Sequence, residues 1–120
     1  MSPQSRRRLE VEDIGDVTVV NFRDRKILDE QNIQLIGEQL FGLVDEGKRH
    51  KILLNFSNVE YLSSAALGKL INLHKKLQGL QGRLAMCNVI PQIFEVFAIT
   101  KLDKIFKIFP NEDAAMEFFG

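Results

Sequence analysis

The chain has 120 residues, of which 45% are hydrophobic and 27% are charged, the size and balance of one globular domain and not of a disordered chain. Sixteen Lys and Arg residues balance sixteen Asp and Glu residues, so net charge provides no general attraction to nucleic acid or to anionic membranes. No apolar run approaches the roughly 18 residues of a membrane span. The sequence predicts one cytoplasmic domain with no direct DNA binding and no membrane segment.

Residues 1–8 are polar and contain three consecutive arginines, so we predict a flexible basic tail followed by a domain over residues 9–120. Apolar and polar residues alternate from Leu9. Turn residues occupy 13–16, and a second extended segment, rich in β-branched residues, runs from Val17 to Phe22. These two strands are expected to form an antiparallel hairpin. The segment 23–26 is predicted to be a polar loop.

Helical and extended patterns then alternate along the chain. Asp29 is suited to cap a helix whose apolar positions run from Ile33 to Val44, and Gly47 is placed to end it. The other predicted elements are a central strand at 51–56, a helix from the Ser63–Ser64 pair to Leu77 or Leu80, a strand at 84–87, a short helix from Pro91, a strand at 105–109 and a helix at 114–119 capped by Asn111.

The resulting order is ββαβαβαβα. Strands that alternate with helices pair in parallel through right-handed crossovers, and the opening hairpin makes the sheet mixed. The sequence therefore predicts an α/β domain in which a mixed sheet packs with about four helices. The periodicity leaves the order of the strands open.

Catalytic and metal-binding patterns are missing from the sequence. There is no phosphate-binding glycine loop, no dinucleotide fingerprint and no Cys/His spacing typical of a metal site. His50 and His74 have no carboxylate at a spacing that indicates a triad, and Cys87 lies in an apolar stretch expected to bury it as an inert thiol. The residues give no positive evidence for an enzyme, and we predict that the protein is not one and uses no cofactor and no metal.

The most informative segment is the passage from the central strand through Ser63 and Ser64 into a helix. Sites in open α/β sheets gather at the carboxyl ends of parallel strands, and a helix N-terminus there favours an anion. Two interpretations stay open. One serine can cap the helix, or a serine can accept a phosphate whose charge the helix end tolerates.

This segment resembles the STAS family, the domain shared by sulfate transporters and bacterial anti-sigma factor antagonists. Residues 53–59 resemble the strand that leads into the family's leucine-serine-x-valine signature. Residues 61–68 resemble its aromatic-aliphatic-aspartate-serine-serine-glycine-leucine-glycine motif. The Gly82-Arg83-Leu84 segment and the proline-headed helix from Pro91 also fit, and the similarity extends from about Leu9 to Phe119.

The resemblance implies an anti-sigma factor antagonist whose partner is an anti-sigma factor with serine kinase activity, of the histidine-kinase-like ATPase fold. In stand-alone members the kinase phosphorylates the serine after the aspartate, which blocks binding. That serine aligns with Ser64, with Ser63 as the alternative acceptor. The residues that the resemblance assigns to partner binding are Arg23, Asp24, Arg25, Ser63, Ser64, Ala65, Ala66 and Lys69.

Three positions depart from the family motif. Ser63 stands where the family has aspartate, Ala65 where it has the second serine, and Ala66 where it has glycine. The alternatives are therefore a STAS scaffold that is not phosphorylated, in a signalling complex or a homo-oligomer, and a ligand-binding module. Monomer and homodimer both stay open.

Overall fold

The computed structural model describes residues 8–120, and they form a five-stranded mixed sheet covered by helices on both faces. The strands are β1 (Leu9–Ile14), β2 (Val17–Phe22), β3 (Lys26–Ile27), β4 (Lys51–Asn55), β5 (Tyr61–Leu62), β6 (Arg83–Cys87) and β7 (Lys107–Phe109). The helices are α1 (Glu30–Asp45), α2 (Ser64–Gly79), α3 (Pro91–Ile99) and α4 (Glu112–Phe119), with a 3₁₀ turn at Leu102–Lys104.

The sheet order is β1-β2-β4-β6-β7, in which β1 pairs antiparallel with β2 and the other neighbours pair in parallel. The predicted α/β class, mixed sheet and four helices are confirmed. Because α1, α2 and α3 each follow a parallel strand, all three helices begin at the carboxyl end of the sheet.

The central strand β4 explains the apolar run in the sequence, because it is covered on both sides. Ile52 and Leu54 face the core under α1, α2 and α3, whereas Leu53 faces the smaller core under α4. Cys87 lies in that second core with no exposed surface, and burial raises the pKa of its thiol to about 11. The expected burial of the thiol is confirmed, and its raised pKa disfavours the reactive thiolate.

Two short strands are not predicted by the sequence patterns. Lys26–Ile27, predicted as part of a loop and its flank, pairs in parallel with Tyr61–Leu62 in a separate two-stranded sheet.

The strand predicted at 105–109 begins only at Lys107, because the N–H groups of Ile105 and Phe106 both donate to the carbonyl of Leu102 in the 3₁₀ turn. Those two residues therefore close a turn and do not join the sheet.

Most of the predicted N-terminal tail lies outside the described residues. Its last residue, Arg8, is described: its N–H donates to Gln39 Oε1 at 3.0 Å and its guanidinium lies 3.5 Å from Asp24. Within residues 8–120, no helix has both the length and the apolar character needed to cross a membrane.

Replacing Gly82 by alanine is expected to lower the free energy of unfolding by about 1–3 kcal/mol. A Cβ at Gly82 would overlap the carbonyl oxygen of His50, and that carbonyl cannot withdraw freely because it accepts the Arg83 N–H at 2.7 Å. Urea denaturation measures the change. Gly42→Ala is the matched control, because its Cβ meets nothing within 4 Å inside α1 and should stabilise the domain by about 0.5–1 kcal/mol. Equal stability changes in the two variants would contradict the prediction.

Candidate functional site

The pairing of β3 with β5 places the loop after β2 beside the serine pair. The N–H groups of Glu60 and Tyr61 both donate to the Arg25 carbonyl, at 2.8 and 3.1 Å. Two residues later, the Ser63 N–H donates to the Ile27 carbonyl at 3.1 Å. These bonds hold residues 25–27 alongside residues 60–63, so the basic loop and the start of α2 form one continuous surface at the carboxyl end of the sheet.

Asparagine side chains tie this surface to the sheet beneath it. The Asn58 amide donates to the carbonyls of Phe22 and Arg23 at 3.3 and 2.9 Å, which links the loop after β4 to the end of β2. The Asn55 side-chain oxygen accepts from the Ser57 N–H and from the Asn88 amide, at 3.0 and 3.2 Å. The ends of β2, β4 and β6 are thereby fixed relative to one another. The sequence analysis did not identify these residues.

The two serines have different roles in the geometry. Ser63 is the N-cap of α2: its backbone is extended, and its hydroxyl accepts the Ala66 N–H at 3.2 Å. Its carbonyl accepts the Leu67 N–H, which closes the first helical turn. Ser64 is the first residue of the helix and is exposed. The capping interpretation therefore applies to Ser63, and the Ser64 side chain is open to solvent.

Charged residues surround the serine pair. Arg25 donates to Glu60 at 2.7 Å, and this bond holds the pKa of the Glu60 carboxyl below its usual value. Arg23 is exposed and lies 3.9 Å from Glu10. Asp24 is half-buried, contacts Arg8, and has its second carboxylate oxygen buried without a hydrogen bond. The predicted loop residues thus lie beside the serine pair, where Arg25 is engaged by a carboxylate and Asp24 is partly withdrawn from the surface.

Exposed apolar side chains lie at the same end of the sheet. Leu28 precedes α1, Tyr61 is on β5 and Phe94 is in the first turn of α3, and their exposed fractions are 53%, 51% and 42%. The Lys26 ammonium lies 5.4 Å from the centre of the Tyr61 ring. A contiguous exposed apolar patch marks an interaction surface, and these three side chains are candidates for such a patch. The sequence patterns did not identify these three residues as part of the site. The one signal for them is that each is apolar and lies near the start of a helix.

The remaining predicted contact residues divide between surface and interior. Ala65 is exposed, but Ala66 is only 5% exposed and lines the small space between α1 and α2. The methyl group of Ala66 therefore faces the core, although Ala66 was predicted to contact the partner. Lys69 is half-buried, lies over Gly37 of α1, and donates to Gln34 at 3.3 Å. Leu67 is a core residue.

Replacing Ser63 by alanine is expected to lower the free energy of unfolding by about 1 kcal/mol, because it removes the side chain that caps α2. Ser64→Ala is the matched variant and should change stability by less than about 0.5 kcal/mol, because the Ser64 side chain is exposed. Thermal and urea unfolding of both variants measures the difference. A larger loss in Ser64→Ala than in Ser63→Ala would reverse the assignment of the cap.

The described part of the chain offers no group of three or more His, Cys, Asp and Glu side chains placed to hold a metal ion. His74 lies on α2 with its ring centre 5.9 Å from that of Phe106, far along the helix from Ser64. The arrangement around Ser64 is therefore a surface of hydroxyl, charged and apolar groups, suited to contact with another protein.

Comparison with known proteins gives the chain a family. The family model of the STAS domain matches residues 8–115. A Bordetella bronchiseptica protein provisionally named anti-sigma factor antagonist BtrV is 30% identical over 93 residues, which are 78% of this chain and 79% of that protein. The crystal structure of a Thermotoga maritima protein, also provisionally named an anti-sigma factor antagonist, matches with a TM-score of 0.83 and 27% identity, over 93% of this chain and 94% of that one.

The structure of the Bacillus cell fate determinant SpoIIAA in its phosphorylated form matches in fold, with a TM-score of 0.71 and 18% identity over 93% of this chain and 99% of that one. The similarity to STAS proteins is thus not limited to the Tyr61–Gly68 segment and extends over almost all of the described chain. The chain belongs to the STAS domain family.

Proposed function

We propose that this chain is a cytoplasmic anti-sigma factor antagonist that binds an anti-sigma factor and is released from it by phosphorylation of Ser64. Support comes from the STAS family and from relatives that carry the name anti-sigma factor antagonist. The observation that carries the proposal is the division of roles between the serines. Ser63 caps α2, whereas Ser64 is exposed beside it on the surface described above.

The surface around Ser64 favours a protein partner over a small substrate. Tyr61 and Leu28 provide exposed apolar area on or beside the paired segments next to Ser63, and Arg23 and Arg25 provide charge from the adjoining loop. An apolar centre with a polar rim is the usual composition of a protein interface. The partner in the proposal is an anti-sigma factor with serine kinase activity, because the modification requires a kinase that reaches Ser64.

Phosphorylation at this position changes the surface and leaves the fold in place. A phosphate adds about 1.5 to 2 negative charges at neutral pH, and the first residue of a helix accommodates them because unpaired N–H groups and the helix dipole favour an anion there. The same charge would have to lose its hydration in an interface next to apolar side chains, which is costly. Phosphorylation of Ser64 therefore acts on binding and not on folding.

The test is affinity capture from a lysate of the source cell, followed by identification of bound proteins by mass spectrometry. The baits are the wild type, Ser64→Ala, Ser64→Asp and Ser63→Ala, each checked for folding by circular dichroism. We expect the wild type, Ser64→Ala and Ser63→Ala to retain an ATPase-like kinase, and Ser64→Asp to lose it. Capture of the same proteins by all four baits would refute the switch and support a STAS scaffold that is not phosphorylated.

A further inference from the structure

A cleft lies at the opposite end of α2 from Ser64. It is bounded by the last turns of α2, the first residues of β6 and β7, and the end of α4, and it has a volume of about 180 Å³. Its walls include the apolar side chains of Leu77, Leu84, Ile105 and Phe118. No residue of the 61–68 segment lines this cleft, so the proposed switch at Ser64 does not use it.

The charged side chains that line the cleft are all basic. Arg83, Lys107 and His74 line it together with the apolar walls, and no carboxylate is among the lining residues. Arg83 and Lys107 carry like charges, so an anion held in the cleft would be attracted by both. The charge of the cleft lining is therefore positive in a protein whose overall charge is zero.

Arg83 is held in place by neutral groups. Its Nη1 donates to the Phe118 carbonyl at 2.9 Å, and its guanidinium carbon lies 5.5 Å from the centre of the Phe118 ring. A carbonyl and a ring fix the orientation of the side chain but do not cancel its charge. A guanidinium has five N–H donors, so its remaining donors can bind a carboxylate with little further loss of freedom.

The size and composition of the cleft define the ligand. An enclosed engineered cavity of about 150 Å³ binds benzene, so an open cleft of about 180 Å³ has room for one ring or a branched alkyl group of similar size. We propose that this cleft binds a small organic carboxylate with an aromatic or branched apolar body, with the carboxylate on Arg83 and Lys107 and the apolar body against Leu77, Leu84 and Ile105.

The test is titration of the full ¹⁵N-labelled chain with phenylacetate, followed by amide chemical shifts. We expect saturable shifts that cluster at the cleft, including those of Gln78, Gly82 and Ile105. Acetate, which lacks the ring, and 2-phenylethanol, which lacks the charge, should each bind at least tenfold more weakly. Shifts scattered over the surface, or equal affinity for all three compounds, would overturn the proposal.

Variants separate the site from general charge effects. Arg83→Gln should weaken phenylacetate binding about tenfold or more, and Lys107→Gln should weaken it several-fold. Lys104→Gln removes an exposed lysine that is not part of the cleft lining and should leave the affinity unchanged. If the Arg83→Gln variant does not fold, the phenylacetate affinity of Lys107→Gln tests the proposal by itself. An unchanged affinity in a folded Lys107→Gln variant contradicts the proposal. Ser64→Asp should bind phenylacetate as the wild type does, so failure of either proposal leaves the other standing.

Discussion

Phe56→Ala is expected to lower the free energy of unfolding by about 3–5 kcal/mol. Phe56 follows β4 directly and has no exposed surface. Its ring packs against Phe22 at a centroid distance of 5.0 Å and edge-on against Phe97 at 6.2 Å. Truncation leaves a cavity between rings that cannot close around it. Because a domain of this size has about 5–15 kcal/mol of stability in total, the variant should unfold at much lower urea concentration.

Leu80→Ala provides the control for this prediction. Leu80 follows α2 and is 45% exposed, so its truncation should change stability by only about 0.5 kcal/mol or less. Urea unfolding followed by circular dichroism gives both values. A loss below about 1 kcal/mol for Phe56→Ala would show that the aromatic cluster is not the centre of the core.

Ser64→Asp is expected to weaken binding to the captured anti-sigma factor about thirtyfold or more. The aspartate carboxylate carries part of the negative charge that a phosphate would carry. In the complex this carboxylate would lose its hydration beside Tyr61 and Leu28. A penalty of about 2 kcal/mol or more for a charge without a matching partner corresponds to that loss in affinity. Isothermal titration calorimetry with purified partner measures it.

Two further variants make the result specific. Ser64→Ala should bind within a few-fold of the wild type, because it removes the acceptor and adds no charge. Asn72→Asp places an equivalent charge on an exposed position of the same helix, two turns further on, and should bind normally. Equal weakening by Asn72→Asp and Ser64→Asp would attribute the effect to net charge and not to the surface around Ser64.

Elements with local chemical signals could be predicted from the sequence. Asp29 and Asn111 accept N–H bonds three residues ahead of them, at 3.3 and 2.9 Å, as their capping positions require. The Val17–Phe22 segment forms a strand as its β-branched residues indicate. These features depend on residues that are close in the sequence, so the pattern alone carries the information.

Features that depend on distant partners could not be predicted in this way. The strands β3 and β5 have two residues each, too few for any periodicity, and exist because the 25–27 and 60–63 segments meet. The bond from Asn58 to Phe22, the last residue of β2, spans 36 residues. Nothing in the local sequence of Asn58 distinguishes it from an ordinary loop asparagine.

The serine pair shows the same limit within the candidate site. The sequence offered two hydroxyls and two roles, and a helix start can shift by one residue without any change in pattern. The 3.2 Å bond from the Ala66 N–H to Ser63 assigns the cap. Likewise, the burial of Ala66 depends on the approach of α1, which the sequence of α2 does not contain.

The most direct measurement is to map the phosphorylation site. The wild type, Ser64→Ala and Ser63→Ala would each be incubated with the purified captured kinase and ATP, and the phosphate located by tandem mass spectrometry. We predict a single phosphate on Ser64 in the wild type and in Ser63→Ala, and none in Ser64→Ala. A phosphate at any position of the Ser64→Ala variant, or no phosphate on the wild-type chain, would contradict the assignment of Ser64 as the switch.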